Sequence, residues 1–258
     1  NIHHSAIIED GAEIGDGTSV GPFCFVGSKV RLGQNVELKS HVVIKGDTFL
    51  GDENTVFPFA VLGEIPQDKK FNGESTSLKI GNRNQIREHV TINVGTKGGG
   101  GITKVGNDGL FMAGCHIAHD AQVGDNVILV NNASLAGHCI IEDNVIVGGL
   151  SGVHQFVRIG EGAIIGAVTM VTNDVIPYGL VQAPRGELDG LNLVGLKRKG
   201  VPRADIMALR AAFQTLSQGD GTFQDRAQKL TDDSDSEYVE KIVSFVLGHS
   251  DRSFLTPR

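Results

Sequence analysis

From Val105 onward an aliphatic or phenylalanine side chain recurs at every sixth position: Val105, Phe111, Ile117, Val123, Leu129, Leu135, Ile141, Val147, Val153, Ile159, Ile165 and Val171. Four residues after each stands a small or β-branched residue, among them Cys115, Ala121, Ala133, Cys139, Ala163 and Val175. The N-terminal part keeps the same spacing at Ile8, Ile14, Val20, Val26, Leu32, Leu38, Ile44, Leu50, Val56 and Leu62. An α-helix repeats every 3.6 residues and an alternating strand every 2, so neither produces this period. Short strands joined by corners do. Three such units, about 18 residues, close one triangular coil that stacks on the next and shares backbone hydrogen bonds with it. Both recurring positions must then point into a narrow interior, and the chain is expected to be mainly β, a hexapeptide-repeat β-helix.

The composition agrees with such an interior. There are 35 glycines and no tryptophan, and aromatic residues make up 5%, which suits tight corners around small and β-branched side chains. Cys24, Cys115 and Cys139 are widely spaced, show no CxxC pairing and fall where the repeat wants a small inward side chain, so packing is their expected role. A net charge of −7 argues against a nucleic-acid partner, which would need a basic face to displace counterions. No apolar run approaches the roughly 20 residues needed to cross a bilayer. The opening Asn1-Ile2-His3-His4 lacks a signal-peptide pattern. The expectation is a cytoplasmic protein with no integral membrane segment.

Two stretches break the period. Residues 63–79 and 97–104 are polar, glycine-rich or charged and read as loops projecting from the prism. After Val175 the repeat ends. Pro177 and Pro184 punctuate the chain, residues 203–217 place apolar side chains at helical spacing, and a second helix is expected at roughly 236–247. The expected division is a β-helix over 1–182 and a helical unit over 183–258 that covers an open end or side of the solenoid.

The densest polar cluster lies within the most regular repeats, in HIAHDA (116–121), LAGH (135–138) and VHQF (153–156). With a coil of about 18 residues, Asp120 stacks beside His138, and His119 lies two coils from Gln155. A step of about 4.8 Å per coil brings these groups into one groove. A histidine beside a carboxylate can take a proton from a weak nucleophile at neutral pH, because the carboxylate fixes the tautomer and stabilises the imidazolium. His119 with Asp120 is the natural pair. Zinc is the competing reading, with His116, His119, His138 and His154 as candidate ligands. Asp120 as partner to His119, together with the large loop and the helical tail, favours a base acting on a bulky substrate, and the reading calls for no metal and no cofactor.

These motifs, with SHVVIKGDTFLG, IGNRNQIREHVTI, NNASLAGH, GGLSGVHQF and the late NLVGLKRKG, resemble bacterial UDP-N-acetylglucosamine O-acyltransferase, the first enzyme of lipid A synthesis, over nearly the whole chain. The resemblance implies a left-handed winding, a homotrimer with sites between subunits, and transfer of a 3-hydroxyacyl chain from acyl carrier protein to the sugar 3-position. It makes His119 the general base, Asp120 its orienting partner, and Gly137 the donor of a backbone N–H to the developing oxyanion. It places Asp68 and Lys70 on the amino sugar and phosphates, and makes His116, His138 and Gln155 groove contacts. Asn192 and Arg198 would meet the nucleotide or acyl donor from a neighbouring subunit. Lys197-Arg198-Lys199 also offers a basic patch for an acidic carrier protein.

Three positions depart from the family pattern. Where relatives commonly read Thr-Ile-His-Arg-Gly-Thr this chain has Thr91-Ile92-Asn93-Val94-Gly95-Thr96, losing a His and an Arg from the groove. Ala183-Pro184-Arg185-Gly186 replaces a usual Gly-Asn-His/Pro-Ala stretch before the tail. Ala167 stands where residue size sets acyl length in relatives, which suggests a chain of about C12 to C14. The loss of two cationic groups at Asn93 and Val94 leaves open a 3-amino analogue of the sugar as acceptor. The sister N-acyltransferase carries an extra N-terminal domain, whereas this chain starts directly in repeats.

Overall fold

A computed structural model describes residues 1–182, 187–218, 220–231 and 235–256. The departure at 183–186 lies outside the described residues. Each six-residue unit forms a two-residue strand and a corner, as in His116–Ile117, Gln122–Val123 and Ile128–Leu129. The first strand residue faces outward and the second inward, so Ile117, Leu135 and Val153 are at most 3% exposed. Among the described residues three sheets of nine, eight and ten strands form the faces of a left-handed prism. On the nine-stranded face Thr91, His116, Ser134, Gly152 and Met170 lie in register on successive parallel strands. From His116 onward the step is one 18-residue coil.

The corners explain how polar side chains come to line one edge. Asp120, His138 and Phe156 take left-handed backbone, with φ of 61°, 63° and 67°. Each immediately precedes the inward small residue, Ala121, Cys139 or Val157. Left-handed backbone costs a non-glycine residue about 1–2 kcal/mol, a cost offset here by the coil-to-coil bonds the turn permits. His138 N–H donates to His119 C=O at 3.0 Å and Phe156 N–H to Gly137 C=O at 3.2 Å. Inside, apolar side chains stack on their own kind, each burial contributing roughly 1.5–3 kcal/mol. The three cysteines are buried and unpaired, and burial pushes the Cys115 thiol up to about 11 and the Cys139 thiol up to about 12.

Past the last regular coil, strand Gly179–Gln182 extends the ten-stranded face, and Glu187–Leu191 pairs with it antiparallel. Four helices follow: α1 (Leu193–Arg198), α2 (Arg203–Ser217), α3 (Phe223–Lys229) and α4 (Glu237–Leu247). Helices α2 and α4 fall where the apolar spacing put them, burying Ile206, Leu209, Ala212 and Leu216 on one and Val239, Ile242, Val243, Phe245 and Val246 on the other. A buried ion pair ties this unit to the prism. Asp174 accepts from Arg158 N–H and Nε–H, both at 2.8 Å, and from Ser250 of the tail. The Arg158 guanidinium lies 4.6 Å from the ring centre of Phe245 on α4. Among the described residues no helix is long and apolar enough to cross a membrane.

Candidate active site

Three successive coils turn the corner between the nine- and eight-stranded faces, through His119-Asp120, Gly137-His138 and Gln155-Phe156. The first corner is the most enclosed, with His119 7% and Asp120 4% exposed. His119 Nδ1 meets Asp120 Oδ2 at 2.8 Å. The carboxylate also accepts Thr96 N–H on Oδ1 at 2.8 Å and the Thr96 hydroxyl on Oδ2 at 2.6 Å. Nδ1 is therefore the protonated nitrogen of neutral His119. Its Nε2 has no hydrogen-bond partner among the described residues.

The neighbouring coils shape what surrounds that nitrogen. Gly137 is buried with ordinary negative φ, so the corner itself does not require glycine there. Space does: a Cβ on Gly137 would stand 2.5 Å from His119 Cε1 and 2.7 Å from Nε2. The Gly137 N–H donates to no group among the described residues. His138 meets the His119 ring edge-on at 5.1 Å, and its Nδ1 lies 3.8 Å from Asp120 Oδ2. Phe156 stacks flat on His138, with centroids 4.5 Å apart. A cleft of about 440 Å³ opens here, lined by Gln67, Asn93, His116, His119, Gly137 and Gln155 among others.

Two histidines, His116 in the cleft and His138 beside His119 at the corner, are held neutral. Burial pushes His116 below the ordinary histidine range, and His119 adds to the effect. His116 Nδ1 pairs with the Thr91 hydroxyl at 2.7 Å. For His138, burial again outweighs the upward pull of Asp120 and Asp68. Of the four histidines considered as metal ligands, only His119 and His138 come together, with Asp120, their ligand atoms lying within 4.8 Å of one another. His154 also lines the cleft, with its Nδ1 paired to Arg252 Nη2 at 2.8 Å.

The remaining predicted residues divide into two groups. Asn93 is buried, donating Nδ2–H to Ile65 C=O at 3.1 Å and more weakly to Glu64 C=O, while its Oδ1 has no partner. The residue lines the cleft at the position where the family resemblance implies an imidazole, and its unpaired Oδ1 is buried. Val94 is buried too, packed beside Gly46. Asp68 closes a turn by accepting Lys70 N–H at 3.0 Å and lies near enough to His138 to act on it electrostatically, while Lys70 is exposed. Ala167, Asn192 and Arg198 do not line the cleft of a single chain. Ala167 is exposed at the opposite corner of the nine-stranded face. Asn192 caps α1, accepting Gly195 N–H at 2.9 Å and donating to Gly162 C=O at 3.0 Å, and Arg198 sits exposed on the last turn of α1. Reading the sequence missed Thr96, Gln67 and Phe156. Thr96 and Gln67 stand outside the regular repeat; Phe156 carried a signal, its 18-residue spacing from His138.

A left-handed hexapeptide prism with a histidine–aspartate pair in an outward cleft defines an acyltransferase of the hexapeptide-repeat class. Residues 11–46 match the family model described as bacterial transferase hexapeptide (six repeats), and residues 174–255 match the one described as Udp N-acetylglucosamine O-acyltransferase, domain 2. The chain belongs to the acyl-[acyl-carrier-protein]–UDP-N-acetylglucosamine O-acyltransferase family. The protein of that name from Paracoccus denitrificans is 66% identical over 202 residues, 78% of this chain and 77% of the relative. The one from Aliarcobacter butzleri is 47% identical over 247 residues, 96% and 95% of the two chains. Among solved structures, UDP-N-acetylglucosamine acyltransferase from Campylobacter jejuni superposes with a TM-score of 0.94 at 39% identity, covering 100% of both chains. That from Francisella novicida gives 0.96 at 34% identity, covering 100% of this chain and 94% of its own.

Proposed function

We propose that this chain transfers a 3-hydroxyacyl group from acyl carrier protein to the 3-hydroxyl of UDP-N-acetylglucosamine, the first step of lipid A synthesis. The observation that carries the reading is the His119–Asp120 pair, whose bonded Nδ1 leaves Nε2 as a free base at the cleft. Nε2 takes the proton of the sugar 3-hydroxyl as its oxygen attacks the thioester carbonyl. The oxyanion forms beside the unpaired N–H of Gly137. As the tetrahedral intermediate collapses the C–S bond breaks, and the imidazolium returns the proton to the departing thiolate. Asp120 stabilises the imidazolium between these two steps. Neutral His116 and His138 suit the same site, because a cation beside His119 would oppose its protonation. Relatives named for O-acyl transfer support the hydroxyl as acceptor.

Asp68, Lys70, Asn93, His138 and Gln155 would hold the sugar and its diphosphate, Lys70 as an exposed cation. Ala167 would bound the acyl chain at about C12 to C14. Asn192 and Arg198 stand away from the cleft of their own chain, which supports a cyclic homotrimer in which a neighbour supplies them. Exposed Leu150, Val168 and Met170, at 66%, 63% and 55%, give such a neighbour apolar surface to cover. The Lys197-Arg198-Lys199 patch would receive the acidic carrier protein, and the setting is the cytoplasm.

The test is acyl transfer from a set of 3-hydroxyacyl carrier proteins to UDP-N-acetylglucosamine and to its 3-amino analogue, followed by mass spectrometry. The ester of the hydroxyl acceptor is the expected product, with turnover by H119A reduced by a factor of about 10²–10⁴. A folded H119A with wild-type turnover would remove the base from the mechanism.

A further inference from the structure

Between Asn93 and strand Ile102–Val105 the chain leaves the prism in an excursion, Thr96 followed by a short 3₁₀ turn at Lys97–Gly99 and two left-handed glycines, Gly100 and Gly101. Its composition gave it no role beyond that of a surface loop. In the folded chain it closes over Asp120. The Thr96 N–H and hydroxyl bind one carboxylate oxygen each, at 2.8 Å and 2.6 Å. Asp120's own N–H donates to the Thr103 hydroxyl at 2.8 Å. A Cβ on Gly99 would stand 2.1 Å from Asp120 Cγ, and one on Gly95 2.8 Å from Oδ1. The glycines thus let backbone lie directly on the carboxylate, whose side chain is 1% exposed.

We propose that Thr96 is a positioning residue for the proton transfer at His119, with Gly99 as the close-fitting cover that keeps water off Asp120. The inference rests on His119 acting as the base. Asp120 Oδ2, which receives the Thr96 hydroxyl, is the same oxygen that receives His119 Nδ1. Two consequences follow. The hydroxyl fixes the rotation of the carboxylate and through it the plane of the imidazole. It also competes with His119 for the charge on Oδ2, and so tempers how strongly Asp120 stabilises the imidazolium. The other titratable groups facing this pair are His138, 3.8 Å from Oδ2 through Nδ1, and His116, which acts on His119 electrostatically. Asp68 faces His138 from the 65–76 loop, and Lys97, in the excursion itself, interacts with Glu74.

T96V keeps the backbone bond and shape but removes the hydroxyl. Its kcat should fall on the order of tenfold, because the imidazole loses its fixed plane. KM should change by less than about twofold, because no substrate contact is lost. The acidic limb of the kcat/KM profile should move to higher pH by about half a unit, since Oδ2 then gives its charge to His119 alone. T96S should restore both. G99A, with Thr96 intact, should lower kcat by pushing the carboxylate aside. All variants are compared with wild type and H119A, with folding checked by thermal melting. A folded T96V with wild-type kcat and an unmoved limb overturns the proposal. So does a loss that serine does not rescue, which would mark the residue as merely structural. If T96V does not fold, wild-type kcat in a folded G99A overturns it instead. Retained activity in H119A sinks the base reading itself, so the two failures are distinguishable.

Discussion

The space that a side chain at Gly137 would need is taken by the ring of His119. Alanine there keeps the backbone N–H available to an oxyanion, so the oxyanion role alone predicts an active G137A enzyme. Contact at 2.5 Å cannot be tolerated, and one of the two coils must give. G137A should therefore lose at least about tenfold in kcat by displacing the base, with thermal stability changed far less than activity. Steady-state rates beside a melting curve separate these, and full activity would show that the ring moves freely. His116 and His138 carry a different consequence. Both are held neutral by burial, so the unfolded chain binds more protons than the folded one just below the ordinary histidine value of about 6.5. Stability in that window rises with pH and is lost as pH falls. Glu142, whose carboxyl burial pushes up, opposes this because its folded form takes up a proton earlier. The clean readout is a difference: between pH 7 and pH 5, H116Q should lose less stability than wild type in urea melts, and parallel losses would remove His116 from the acid response.

At the scale of elements, what was legible followed from what repeats. Leu135 and Cys139 are inward because their positions recur in coil after coil, and that redundancy made the strands, corners and interior readable. Helices α2 and α4, at 15 and 11 residues, are long enough to show an apolar stripe. Helices α1 and α3, at 6 and 7 residues, are not, and their capping groups, Asn192 and the Thr222–Asp225 box, gave too little pattern by themselves. The same reason divides the candidate site. His119, Asp120, His138 and Gln155 were placed together by the 18-residue step, and Gly137 by the family resemblance. Thr96 was not, since it reaches Asp120 across an excursion of irregular length, where 24 residues separate partners in place of 18. Contacts made by insertions have no period from which to be read.

At the scale of the whole molecule the open question is which chain completes which cleft. Arg198 and His119 stand at separate places on one chain, Arg198 on the last turn of α1 and His119 on a mid-prism corner. If a neighbour supplies Arg198, two inactive variants can repair each other. In a closed ring each site takes His119 from one copy and Arg198 from the next. When H119A and R198A are unfolded together in equal amounts and refolded, a site works if its His119 comes from an R198A chain and its Arg198 from an H119A chain. Each condition holds half the time, so about one quarter of sites should recover wild-type turnover, from ½ × ½. If both residues serve the cleft of their own chain, every site in the mixture keeps one defect and nothing is recovered. The two variants mixed without unfolding supply the baseline, because exchange between intact assemblies is not expected. Recovery near one quarter would establish the shared site and the closed assembly in one measurement. A mixture no more active than its components would return Arg198 to the surface as a solvated cation or confine its service to its own chain.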